Sequence, residues 1–223
     1  MSHNRRCVLL FARTPRQEAL AKGLGRDTAL FEFTRDRVRA ASAALDGVDL
    51  FVPIQGPGSF GEKLAGAFAQ ARAEGYERIV AVPIDAPGLG ARELAGAFAA
   101  LETHDIVLGP SPDGGVYLLG LRGESAVPAR LADVRWLTSR VASDLMALFP
   151  GAAVLDRVVA DLDRRADLAG IARDAVDDPE LAALVSSLLG ARTSGTPGTT
   201  FHQKIGPAAR RWGRAPPALP ARV

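Results

Sequence analysis

Five apolar runs of strand length, each bounded by turn-forming residues, recur at residues 8–12, 48–52, 79–84, 106–108 and 116–121. Short runs of this kind read as buried strands. Between them lie stretches with helical spacing. In 62–73, Leu64, Phe68 and Ala71 fall four and three residues apart and share one face. In the alanine-rich stretch 91–101, Leu94 and Phe98 are four apart. Residues 138–149 repeat Val141, Leu145 and Phe149, with Thr138 or Ser139 as the expected N-cap. Residues 178–189 form a last helix, closed by Gly190. Strands alternating with helices imply parallel pairing. The expected fold is α/β: three layers, Rossmann-like, with a mostly parallel sheet and helices on both faces. In such sheets ligands bind beyond the carboxyl ends of the strands, so function is sought in the loops after the apolar runs.

The chain has 223 residues, enough for one ordinary domain with a tail. The expected division is one domain over 1–190 and a tail over 191–223. Of 27 basic residues, six lie in the tail (Arg192, Lys204, Arg210, Arg211, Arg214, Arg222), which has no acidic residue. The rest of the chain sets 21 basic against all 25 acidic residues, a net of −4. The tail also carries five prolines, at 197, 207, 216, 217 and 220, among Gly, Ser and Thr, so it is expected not to pack. An arm for nucleic acid or an acidic partner competes with a solvated extension here, and the extension is preferred. Cys7 is the sole cysteine, which excludes an internal disulfide and suits a reducing cytoplasm. With only His3, His104 and His202 beside it, a structural zinc site is not expected. The N-terminal apolar run ends at Arg13, too short for a secretory signal, and no run approaches the ~18 apolar residues of a membrane span. A cytoplasmic protein with no membrane or nucleic-acid partner is the expectation.

Three segments carry chemistry. In VPIDAPGL (82–89), Asp85 directly follows a buried strand, while Pro87 and Gly88 delay the next helix and leave Asp85 poorly placed to cap it. A divalent cation that bridges phosphates takes one or two such carboxylates plus water and phosphate oxygens. In GPSPDGGVYLLGL (109–121), Asp113, Gly114 and Gly115 read first as an ordinary hairpin turn, with a close backbone approach to a ligand as the alternative. In ADLDRRADL (160–168), Asp161 and Asp163 alternate, so an extended segment turns both to one face, and Asp167 is placed to cap or start a helix.

These segments, in this order, resemble the bacterial glycosyltransferase-A-superfamily proteins known as arsenosugar-biosynthesis-type glycosyltransferases, a group catalogued as a domain of unknown function. The resemblance spans about residues 7–172. It rests on FARTP (11–15), QGPGSFGEKL (55–64), PIDAP (83–87), DGGVYLLGL (113–121), RWLTS (135–139) and DLD (161–163). It implies a fold of nucleotide-diphospho-sugar transferase type, with a nucleotide-binding first half, an acceptor-binding second half and one divalent metal, Mg²⁺ or Mn²⁺. By the same resemblance Asp85 and Asp163 are metal ligands, and Asp85 and Asp113 are catalytic. Gly114 and Gly115 lie near donor or acceptor, and Gln55, Gly61 and Glu62 near the base. Trp136, Thr138 and Ser139 flank the acceptor. The first loop departs from the family pattern: Glu18 stands at its glycine, Ala21 at its lysine and Gly23 at its arginine. That leaves Arg13, Arg16 and Lys22 as the cations available for donor phosphates.

The favoured function is a metal-dependent glycosyltransferase that joins a nucleotide-sugar donor to a small-molecule acceptor. The alternatives are a nucleotidyltransferase that releases pyrophosphate, and a non-catalytic module that retained the fold. An oxidoreductase is disfavoured, because no Gly-x-Gly-x-x-Gly follows the first run.

Overall fold

In the computed structural model, which describes residues 5–123 and 130–190, the apolar runs at 8–12 and 79–84 give strands buried on both faces. Along β1 (Arg6–Leu10), Val8 and Leu10 enter one hydrophobic cluster while Cys7 and Leu9 enter another on the opposite face. Along β3 (Arg78–Val82), Val80 and Val82 point to the first face and Ile79 and Ala81 to the second. Successive side chains of a strand face opposite ways, so a continuous apolar run demands a helical layer on each side. The remaining strands are β2 (Val48–Phe51), β4 (Ile106–Pro110), β5 (Val116–Arg122) and β6 (Ala153–Val154). The described strands form one six-stranded sheet in the order β2-β1-β3-β5-β4-β6. All pairings are parallel except those of β5, which runs antiparallel to both β3 and β4.

The helices are α1 (Pro15–Ala21), α2 (Ala29–Ala43), α3 (Phe60–Ala73), α4 (Ala91–Ala100), α5 (Val141–Leu148), α6 (Leu168–Asp174) and α7 (Pro179–Gly190). The first cluster joins β1 and β3 to Phe31 and Val38 of α2, Leu94 and Phe98 of α4, Ile171 of α6 and Val185 of α7. The second joins them to Leu64 and Phe68 of α3 and Val141 and Leu145 of α5. Two helix starts are closed reciprocally. Ser59 Oγ accepts from the Glu62 N–H while Glu62 accepts from the Ser59 N–H at 2.7 Å, and Thr14 pairs with Gln17 in the same way, ahead of Pro15. Of the described helices, none is long and apolar enough to cross a membrane.

Several expectations shift. The run at 116–121 is a strand, but it forms a hairpin with β4, because Asp113-Gly114-Gly115 makes the tight turn for which those residues are suited. Neither Thr138 nor Ser139 caps α5: the helix begins at Val141 behind Arg140, and Thr138 Oγ1 donates to the Arg135 carbonyl at 2.7 Å. The described residues fall within one compact unit, Met1–Arg192. The tail expected over 191–223 lies outside the described residues.

Candidate functional site

Because β3 and β4 point the same way, their carboxyl ends lie along one edge, which brings Asp85 and the 111–115 hairpin turn to the same side of the sheet. The turn is rigid. The Asp113 Oδ1 accepts from the Gly115 N–H at 2.9 Å, the Gly114 N–H donates to the Ser111 carbonyl, and Gly114 takes φ +91°. A Cβ on Gly114 would lie 2.2 Å from the Ser139 carbonyl oxygen, and the Ala142 N–H donates to the Gly114 carbonyl, so the Trp136–Ser139 loop is packed directly on the turn.

The segment after β6 crosses this edge in extended form. The Leu155 N–H donates to Leu108, the Val159 N–H to Pro110 and the Leu162 N–H to the carbonyl of Asp85 at 2.8 Å. It thus traverses the end of β4 and reaches the end of β3. Asp161 and Asp163 accordingly meet Asp113: one carboxylate oxygen of each lies within 4.8 Å of the other two. Asp167 receives the N–H groups of Asp163 (2.9 Å) and Arg164 (2.8 Å), which starts the turn leading to α6 and fixes the Asp163 backbone. The Asp161 carboxyl is pushed up to about 7, by burial first and then by the negative charges of Asp113, Asp85 and Asp163.

Lys22 sits between the two residues expected to hold a metal. Its Nζ lies 2.9 Å from Asp85 Oδ2 and 2.6 Å from Asp163 Oδ1. Burial acts to lower its pKa, but the two carboxylates outweigh that and hold the ammonium above the ordinary lysine range.

The first loop has a second ion pair. Glu18, 6% exposed, accepts from the Arg13 backbone N–H and from Arg13 Nε at 3.1 Å and Nη2 at 3.2 Å. The extra carboxylate of this loop is therefore neutralised within the loop, and Arg13 with it. Glu18→Ala strands the Arg13 N–H and removes a buried acceptor, so a loss of about 1–3 kcal/mol is expected in urea unfolding. No loss would mean that the pair contributes nothing. Arg16 is exposed on the first turn of α1.

The other expected residues line the same edge. Gln55 Nε2 donates to the Ala12 carbonyl at 2.9 Å, which ties the loop after β2 to the end of β1. Gly61 is buried, and a Cβ there would meet the Leu131 carbonyl at 2.6 Å and Trp136 Nε1 at 2.7 Å; it is the seat of Trp136, whose Nε1 donates to that carbonyl. Glu62 caps α3. Phe60 meets Phe11 edge to face (ring centroids 5.4 Å apart) and Trp136 at a tilt (5.0 Å), so the stretch expected near the base and the loop expected near the acceptor meet in one aromatic row. Next to it Leu137 stands 85% exposed at φ +62°. Sequence reasoning left Asp161 out of the site, although its alternation with Asp163 was the signal that could have placed it there.

Residues 18–138 match the model of the family described as "Uncharacterized protein conserved in bacteria (DUF2064)". The chain belongs to this family. No curated protein matches it. Among solved structures, this DUF2064 chain is similar to a Desulfovibrio desulfuricans protein assigned as a nucleotide-diphospho-sugar transferase. The two are 21% identical with a TM-score of 0.67, over 83% of this chain and 94% of that one. It is also similar to Rv0371c of Mycobacterium tuberculosis, 22% identical with a TM-score of 0.48 over 76% and 98% of the two chains. A complex of the same protein with manganese gives 20% identity and a TM-score of 0.46 over 78% and 100%. The DUF2064 chain thus shares the α/β fold of the Desulfovibrio protein.

Proposed function

We propose that this DUF2064 chain is a transferase that takes a nucleotide-sugar donor and passes the sugar to a small-molecule acceptor. The observation that carries the reading is the convergence of Asp113, Asp161 and Asp163 at the ligand edge of this fold, with Asp85 joined to Asp163 through Lys22. So many carboxylates repel a bare diphosphate and suit one that arrives with a cation. The donor set fits the expected Mg²⁺ or Mn²⁺: Asp113, Asp161 and Asp163 offer one hard oxygen each within reach of a single ion. When bound there, the ion neutralises the diphosphate and the charge that develops on the leaving oxygen.

The chain's own groups do the rest. Arg16 meets the donor phosphates from the open side of α1, and Arg13 stays with Glu18 to hold the loop. Gln55, Gly61 and Glu62 form the wall on the base side, and Trp136, Thr138 and Ser139 the wall on the acceptor side. Gly114 lets the Trp136–Ser139 loop pack against the turn, and Gly115 leaves room for the Asp113 carboxylate beside it. Asp113, exposed at the turn, orients the acceptor hydroxyl.

The deciding experiment is a thermal-shift panel of nucleoside diphosphate-sugars and nucleoside triphosphates, with and without Mn²⁺. A ligand at a hundredfold excess over its dissociation constant stabilises by about 2.7 kcal/mol, roughly 5–11 °C for a chain of this size. A Mn²⁺-dependent shift with a diphosphate-sugar is the expected result. A shift with triphosphates alone points instead to nucleotidyl transfer, and silence across the panel to a module without catalysis.

A further inference from the structure

We propose that Lys22 is a tethered cation that holds the Asp85–Asp163 pair in place of a divalent ion, so that Asp85 serves as the anchor of Lys22. The Lys22 ammonium lies within hydrogen-bond distance of both carboxylates, 2.9 Å from Asp85 Oδ2 and 2.6 Å from Asp163 Oδ1. A metal ion bound by those two oxygens has to occupy the same place, and a doubly charged ion beside an ammonium is strongly repelled at this separation. Lys22 and a divalent ion at this pair therefore exclude each other.

The arrangement is built into the backbone at all three corners. The Lys22 N–H closes α1 by donating to the Glu18 carbonyl at 2.9 Å. The Asp85 carbonyl is held by Leu162, and the Asp163 N–H by Asp167. The Lys22 side chain is 12% exposed and that of Asp85 18%, so the pair is largely shielded from water and salt. Of the other cations of this loop, Arg13 is engaged by Glu18 and Arg16 lies exposed on the first turn of α1. Asp85 also stands outside the three-carboxylate group, which contains Asp113, Asp161 and Asp163. Asp163 is shared, with Lys22 on one side and its acidic partners on the other. The displacement of Lys22 by one place from the family's lysine thus has a structural counterpart: the basic group of this loop faces carboxylates.

The inference rests on the proposed function only in supposing that a divalent ion visits the site. Its test therefore uses Mn²⁺ alone, without nucleotide, so the nucleotide panel can fail independently. Free Mn²⁺ is followed by electron paramagnetic resonance during titration of the full chain. Lys22→Met is expected to bind Mn²⁺ at least tenfold more tightly than the parent, because Asp85 becomes available as a ligand. Asp85→Asn introduced into Lys22→Met should erase that gain, and Lys22→Arg, which keeps the charge, should show none. Lys22→Gln repeats the comparison should Lys22→Met fail to fold. The proposal is overturned if the Lys22→Met affinity equals that of the parent, or if the gain survives Asp85→Asn and so reflects only a changed net charge. It is equally overturned if Asp85→Asn abolishes Mn²⁺ binding while Lys22 is in place.

Discussion

Gly114→Ala is expected to lower stability by about 2–4 kcal/mol and to cost the chain its ligand site. Two independent terms act at this position. The backbone sits at φ +91°, where a side chain carries the strain of the left-handed region. The added methyl would also lie 2.2 Å from the Ser139 carbonyl oxygen and 2.9 Å from its carbon, atoms of backbone that cannot rotate away. Relief requires the turn to move off the Trp136–Ser139 loop, which breaks the Ala142 N–H bond to Gly114 and shifts Asp113 away from Asp161 and Asp163. For a domain of this size the loss corresponds to a fall in Tm of roughly 4–16 °C. Nucleotide-sugar and Mn²⁺ binding should vanish in whatever folded protein remains. Full stability with binding intact would show that this contact does not locate the turn.

Asp161→Asn should weaken cation-supported donor binding by a hundredfold or more, because it removes one of the three carboxylates proposed to hold the cation. The same change should stabilise the chain in the presence of a chelator. The Asp161 carboxyl, at about 7 in the folded chain, binds its proton more tightly than the unfolded chain does, whose carboxyl titrates near 4. The folded state therefore holds more protons between those values, and stability falls as pH rises through that window. Asparagine carries no such charge. The gain in Tm of the variant over the parent should be absent near pH 4, grow toward pH 7 and be complete at pH 8. A gain independent of pH would trace the effect to shape and not to repulsion among Asp113, Asp161 and Asp163. A variant that still binds donor with Mn²⁺ at parental affinity would remove Asp161 from the site.

What could be read without coordinates was whatever depends on short spacing. The uninterrupted apolar runs at 8–12 and 79–84 marked β1 and β3 as buried strands, and because a strand reverses side-chain direction at each residue such runs are apolar on both faces. Helix α2 escaped because its buried face mixes Phe31 and Val38 with Thr34 and Ser42, whose hydroxyls donate to the carbonyls of Leu30 and Val38. That face is well packed in the fold but has no continuous apolar stripe. Strand β6 is two residues long, below any periodic signal, and it exists because β4 offers a free edge.

Sequence by itself indicated that Asp85 follows a buried strand, offered Asp113-Gly114-Gly115 as a tight turn and placed Asp161 and Asp163 on one face of an extended segment. Each of these is a local consequence of residue type and backbone geometry. Only the tertiary structure decided the direction of β5, because parallel and antiparallel strands carry the same alternation and differ only in where their partners lie. It alone brought the 155–163 segment across the ends of β4 and β3, through hydrogen bonds to Leu108, Pro110 and Asp85 that join residues far apart in the chain. And it alone turned the Lys22 ammonium onto Asp85 and Asp163, since the position of a charge at the end of a flexible side chain follows from the field of its neighbours and not from its place in the chain.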